Sequence, residues 1–177
     1  MDADVVNGAR PSRPPAGAPR LREGVRALIL DEHDHVLLVR FHWDGLEDPN
    51  GFWANPGGGV DPGESRLAAM QRELREELGL EVDHLVPEVW TKTALFPMSD
   101  WDGQVDHIHL YRTERFIPTP ALSKEQLAAE NLHDIRWWSP EEVQVPGLTF
   151  APRSLPELLS RLIEEGPPRT PVVLGGF

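Results

Sequence analysis

The chain has 177 residues with 29 acidic against 17 basic side chains, a formal net charge of -12, and 40% hydrophobic content. That length fits one domain with tails, and the apolar content supports a sizeable core and excludes wholesale disorder. The negative charge argues against electrostatic binding of a nucleic-acid polymer, and the absence of cysteine removes disulfides, zinc-thiolate sites and cysteine nucleophiles.

No run of 18 apolar residues occurs and the N-terminus lacks an apolar leader, so the expectation is a cytoplasmic domain with no membrane partner. A small phosphorylated substrate remains compatible with the charge, because a divalent cation can bridge carboxylates and phosphate oxygens. Residues 1–21 hold Pro11, Pro14, Pro15 and Pro19 among Ala, Gly and Arg, which predicts a flexible Pro/Arg-rich tail without burial potential. Val25–Leu30 and Val36–Phe41 read as strands joined by a hairpin turn over Asp31–His35. A polar loop, 44–51, precedes a short strand at Phe52–Ala54. Pro56–Gly59 then reads as too permissive for regular structure.

From Ser65 to Leu78, the recurrence of Leu67, Met70, Leu74 and Leu78 at three- and four-residue spacing predicts a helix with one buried stripe, stopped by Gly79. Further strands are expected over Val89–Leu95, Val105–Phe116 and Ile135–Trp138. A final amphipathic helix is expected from Ser154 to Glu165, and Pro167, Pro168 and Pro171 mark 166–177 as a C-terminal tail. Strands interleaved with two helices predict an α/β fold, a mixed sheet with helices on its faces, over residues 22–165.

The chemistry concentrates in one segment. Glu73, Glu76 and Glu77 fall at i, i+3 and i+4, within one arc beside the apolar stripe. Three like charges so close need neutralisation, and hard oxygen-liganded cations such as Mg²⁺ or Mn²⁺ suit them. Arg72 at the edge can pair with a neighbouring carboxylate, and Gly57–Gly59 let the backbone approach a metal or phosphate. Three glutamates alone would sooner describe a solvated surface helix, so the wider spacing decides.

Residues 58–80 carry Gly58, Glu64, Arg72, Glu73, Leu74, Glu76, Glu77, Gly79 and Leu80 at every fixed position of G-x5-E-x7-R-E-U-x-E-E-x-G-U, with U apolar. Seven fixed identities arise by chance on the order of once in 10⁹ windows. This segment resembles the box of the Nudix hydrolase family. The preceding Trp53–Gly58 and the downstream Arg136–Val143 are similar to the family's flanking elements. The resemblance implies an α/β/α sandwich with a mixed β-sheet and hydrolysis of a nucleoside diphosphate linked to another moiety, of the nucleoside triphosphate or nucleotide-sugar type. It further implies Mg²⁺ (or Mn²⁺) held by Glu73, Glu76, Glu77 and the Gly57 carbonyl, with Glu64 bracing the loop or joining an outer metal shell.

Arg72 would orient a carboxylate. Family members often recruit a later glutamate as base or extra ligand; Glu130 is the candidate, with Glu125 and Asp106 as alternatives. Asn55, Gly58 and Arg40 are the candidate substrate-binding residues, and Phe41, Trp43 and Trp90 could stack on a base or belong to the core. Pro97 resembles weakly the downstream proline of ADP-ribose hydrolases, though a loop proline is the commoner explanation. The isomerase of the same fold family is disfavoured for lack of a cysteine acid/base. A catalytically inactive nucleotide-binding or regulatory module is the alternative, and a homodimer stays open.

Overall fold

The computed structural model of the chain describes residues 17–44 and 46–176, so most of the expected N-terminal tail lies outside the described residues. In chain order the elements are β1 (Leu21–Leu30), β2 (Val36–Phe41), β3 (Phe52–Ala54), β4 (Gly57–Gly59), α1 (Arg66–Leu78), β5 (Glu88–Met98) and β6 (Trp101–Arg112). There follow α2 (Lys124–Ala129), β7 (Leu132–Trp138), a 3-10 turn (Glu142–Gln144), β8 (Phe150–Ala151), α3 (Leu155–Glu165) and β9 (Val172–Gly175).

The sheet runs β8-β3-β2-β1-β6-β5-β9, with β4 added on β1 and β7 on β2. It is mixed: β1 pairs with β6 in parallel from Leu21↔Gly103 to Leu30↔Arg112, whereas β1–β2 and β5–β6 are antiparallel. Successive side chains of β1 alternate between two cores. Val25, Ala27 and Ile29 meet Met70, Leu74 and Leu78 of α1, while Leu28 and Leu30 meet Leu155, Leu159 and Leu162 of α3. The result is the expected α/β/α sandwich.

Helix α1 starts where Ser65 caps it, its hydroxyl accepting from the Ala68 N–H. It ends at Gly79, whose φ of 69° lets its N–H reach back to the Arg75 carbonyl while Leu80 N–H reaches Leu74. Its buried side is wider than the apolar stripe, because Glu73 and Glu77 are buried with it.

Four expectations are corrected. The Pro56–Gly59 stretch is no loop: Gly57, Gly58 and Gly59 pair with Arg26, Val25 and Gly24 as strand β4. Without a Cβ, Gly57 can lie where one would sit 2.2 Å from the Val25 carbonyl oxygen. The segment expected as a C-terminal tail carries β9, which adds to β5 in parallel at the sheet edge. A short helix, α2, held by a Ser123–Gln126 capping box, went unforeseen. Pro97 lies within β5, at the stretch between Leu95 and Met98 where the ladder with β6 is interrupted.

Candidate active site

The α3 face of the sheet is covered by that helix at one end only. At the other end lies a cavity of about 1070 Å³. Arg22 and Arg26 of β1, Lys92 and Ala94 of β5, and Gln104 and Asp106 of β6 line it. Phe41, Trp43, Phe52 and Phe150 line it as well, together with Glu130.

The box carboxylates belong to α1, which packs on the opposite face of β1, and none of them lines the cavity. Glu77 Oε2 accepts the Gly57 N–H at 2.8 Å, so the helix is pinned to the glycine strand at the predicted ligand pair. Burial pushes the Glu77 carboxyl up to about 8 against the pull of Arg26, and burial also raises Glu73 despite its bond from Arg72. Gly58 lies against Glu73: a Cβ there would come 2.3 Å from Glu73 Oε1.

Arg72 organises the rest. Its Nε and Nη2 donate to the two oxygens of Glu64 at 3.0 and 2.9 Å, Nη2 also donates to the Gly59 carbonyl at 3.0 Å, and Nη1 donates to Glu73 at 2.6 Å. The half-exposed Glu76 carboxylate stands 3.7 Å away. Hydrogen bonding from Arg72 holds Glu64 below the usual carboxylate range. Glu64 is thus a brace between Arg72 and the loop, where it also accepts the Asp61 N–H. Arg72→Lys keeps the charge but cannot form this fork. We expect kcat to fall about tenfold and Mn²⁺ affinity, read by titration, to weaken. Unchanged values in both would show that the fork is dispensable.

Sequence reasoning missed Arg26, which sits where the two halves meet. Its Nη1 donates to the Gly57 carbonyl and, at 3.4 Å, to the Asn55 carbonyl; its Nε donates to Asp106 at 3.4 Å. Burial works against the Arg26 charge, but Asp106, Glu77 and Glu73 outweigh it and hold the guanidinium protonated. No local pattern marks this residue, because its partners come from β4, α1 and β6.

Of the other candidates, Glu130 caps the end of α2 and lines the cavity, and its charge reaches Glu77. Glu125 lies exposed in the first turn of α2, away from the cavity lining. Asp106 lies buried on the cavity floor. Phe41 and Trp43 line the cavity, and Trp90 belongs to the core. Asn55 is buried, with both side-chain amide atoms lacking a hydrogen-bond partner.

Arg40 is not among the residues that line the cavity, and it donates to the Asn50 carbonyl at 3.1 Å. The pairing of β2 with β7 shifts register between Arg40 and Phe41, and Phe41 is the one of the two that lines the cavity. A further group with metal-ligand chemistry, Asp31, His33 and His35, lies in the β1–β2 turn. There Asp31 Oδ1 accepts the N–H groups of His33 and His35, both at 2.9 Å, which accounts for its burial as a turn-forming carboxylate.

The chain is 33% identical over 135 residues to the CTP pyrophosphohydrolase of Escherichia coli K12, covering 76% of this chain and 87% of that protein. It is 40% identical over 82 residues to the 8-oxo-dGDP phosphatase of Homo sapiens, but that match spans 42% of this chain and only 24% of the human protein. The solution structure of the E. coli ORF135 protein superposes with a TM-score of 0.56 at 29% identity, covering 89% of this chain and all of that one. The NUDIX domain family matches residues 20–159, which include both halves of the site, and the chain belongs to the Nudix hydrolase family.

Proposed function

We propose that the protein is a Mg²⁺- or Mn²⁺-dependent pyrophosphohydrolase that cleaves a nucleoside diphosphate linked to another moiety. The carrying observation is the pinning of buried Glu77 to the Gly57 N–H at 2.8 Å, beside buried Glu73 and next to a cavity of nucleotide size. An all-oxygen donor set of Glu73, Glu76, Glu77 and the Gly57 carbonyl suits a hard cation, and a carboxyl raised to about 8 by burial is one that a cation would ionise. A bound Mg²⁺ or Mn²⁺ supplies polarisation of a phosphoryl oxygen and a more acidic water.

The chain's own part is to hold these oxygens in place. Arg72 fixes Glu73 and Glu64, and Glu130, which lines the cavity, is the candidate to take a proton from water. Arg26 and Arg22 bring positive charge to the side on which an anionic substrate would lie. A cytoplasmic location goes with this reading, since nucleotides are held there.

One observation favours the second reading, a nucleotide-binding module without turnover: Arg26 already bonds the Gly57 carbonyl. A carbonyl has two lone pairs, so this does not by itself block a cation. Phosphate release from a panel of nucleoside triphosphates and nucleotide sugars decides between them. We expect activity to vanish on chelation and return with Mg²⁺ or Mn²⁺. Full activity with chelator present would sink the metal-dependent reading, and binding without turnover would favour the module.

A further inference from the structure

The floor of the cavity carries charges where an apolar face would cost less. Asp106, Lys92 and Gln104 are buried at 4%, 8% and 8% exposure, on adjacent strands β5 and β6. Arg26 Nε and Gln104 Nε2 both bond Asp106 Oδ1, while Lys92 Nζ stands 3.6 Å from Oδ2. Burial would raise the Asp106 carboxyl, yet Arg26 and Lys92 outweigh it and hold it below the usual range. Buried ion groups of this kind contribute little to stability compared with apolar residues of the same volume. Their position on a cavity floor therefore calls for a ligand.

A carboxylate has about four acceptor positions. Oδ1 is engaged by two donors, whereas Oδ2, with an ammonium beside it, presents an acceptor next to a donor. The same cavity is lined by an aromatic cluster: Phe41 packs on Phe52 with centroids 5.7 Å apart, and Trp43 stands edge-on to Phe52 at 5.7 Å. A cavity with a polar floor and an aromatic lining suits a planar heterocycle that has a hydrogen-bonding edge.

We propose that Asp106 with Lys92 is the specificity-determining pair that reads the edge of the substrate's nucleobase, selecting bases that carry an exocyclic amino group. Cytosine, adenine and guanine each place an amino or adjoining ring N–H donor at the end of the edge, with an acceptor next to it for Lys92. Uracil and thymine present acceptor, donor, acceptor, so any placement of the imide N–H on Asp106 brings a carbonyl oxygen against the carboxylate side. A site built to accept from the substrate rejects the analogue that cannot donate there. This rests on the pyrophosphohydrolase reading for its substrate, though not for its binding chemistry.

The test has two arms. The first measures kcat/KM for CTP, GTP and ATP against UTP and TTP in the wild type, Asp106→Asn and Lys92→Met. The second measures binding of CMP, GMP and UMP in chelator, by quenching of tryptophan fluorescence. We expect the wild type to favour amino-bearing bases about tenfold or more. In Asp106→Asn that preference should shrink to within about threefold, with the change in KM and in monophosphate affinity.

If Asp106→Asn fails to fold, because Arg26 and Lys92 lose their counter-charge, Lys92→Met carries the test, since it leaves the Arg26–Asp106 pair in place. Its preference should shrink in the same way. No base preference in the wild type, or an unchanged preference in a folded variant, overturns the inference. Preferential monophosphate binding that the variants lose, in a protein that hydrolyses nothing, would uphold the inference while the pyrophosphohydrolase reading fails. Hydrolysis without base preference would do the reverse.

Discussion

Glu77→Gln should lower kcat about 10²-fold or more, the scale on which removal of a key electrostatic group in a transition state is felt. The substitution keeps side-chain volume and helix propensity, and the amide oxygen can still accept the Gly57 N–H that Glu77 Oε2 now takes at 2.8 Å. What it removes is the charge. Glu141→Gln is the control, since Glu141 is exposed beside the 3-10 turn and should stay near wild type. Comparable activity in the two variants would mean that the box carboxylates are inert here, and the binding-module reading would lead.

The same variant has a stability signature whose sign follows from linkage. Glu77 ionises near 4.5 when unperturbed and is pushed up to about 8 by burial. Between those values the unfolded chain releases the proton that the folded protein keeps, so metal-free stability falls as pH rises through this window and levels above it. Glu73, also raised by burial, adds the same sign. Glu64 and Asp106 are lowered, so their contribution is present above the usual carboxylate range and lost only in acid. His109, which burial holds below 6.5, acts in the opposite direction, and the comparison with Glu77→Gln separates the two. A pKa unit corresponds to about 1.4 kcal/mol, and about 2–4 °C of Tm per kcal/mol is usual at this size. The wild type in chelator should therefore lose at least about 5 °C more than the variant between pH 5 and pH 8, by thermal melts. Parallel slopes would show that this carboxyl is not held protonated by burial.

Gly57→Ala should be strongly destabilising. Gly57 has φ of 124°, and its Cβ would lie 2.2 Å from the Val25 carbonyl oxygen and 3.0 Å from the Arg26 Cα. Both obstacles are backbone of β1, so no side chain can turn aside. Left-handed strain and the clash together should cost about 3 kcal/mol or more, or roughly 6–12 °C of Tm. Activity should fall with it, because the Gly57 N–H holds Glu77 and its carbonyl holds Arg26. Gly63→Ala is the comparison: φ is 82° there, but nothing lies within 4 Å, so only about 1 kcal/mol is expected. Equal losses in the two variants would refute the close approach of β4 to β1 as the cause.

Some features were legible because their signal is local. The β2 strand, the short β3 strand and helix α1 with its Ser65 and Gly79 ends follow from apolar spacing and capping chemistry within a few residues. The carboxylate cluster was legible for the same reason: Glu73, Glu76 and Glu77 share one helix, and helical geometry fixes their neighbourhood. Glycine misled at β4, where permissiveness reads as irregularity. Here the missing Cβ serves the opposite end, admitting a strand so close to β1 that any side chain would collide.

By itself, the sequence determined the family box, the α/β alternation and the acidic edge of α1. Tertiary structure alone decided which face of the sheet carries the cavity and which charges reach it. Arg26 and Asp106 are 80 positions apart and meet only because β1 and β6 pair in parallel register. Lys92 joins them through the antiparallel pairing of β5 with β6, where it lies opposite Asp106. Short elements such as α2, β8 and β9 have too few residues to declare themselves by periodicity, and their place is set by the surfaces they join. A contact across strands has no period along the chain, so no spacing announces it.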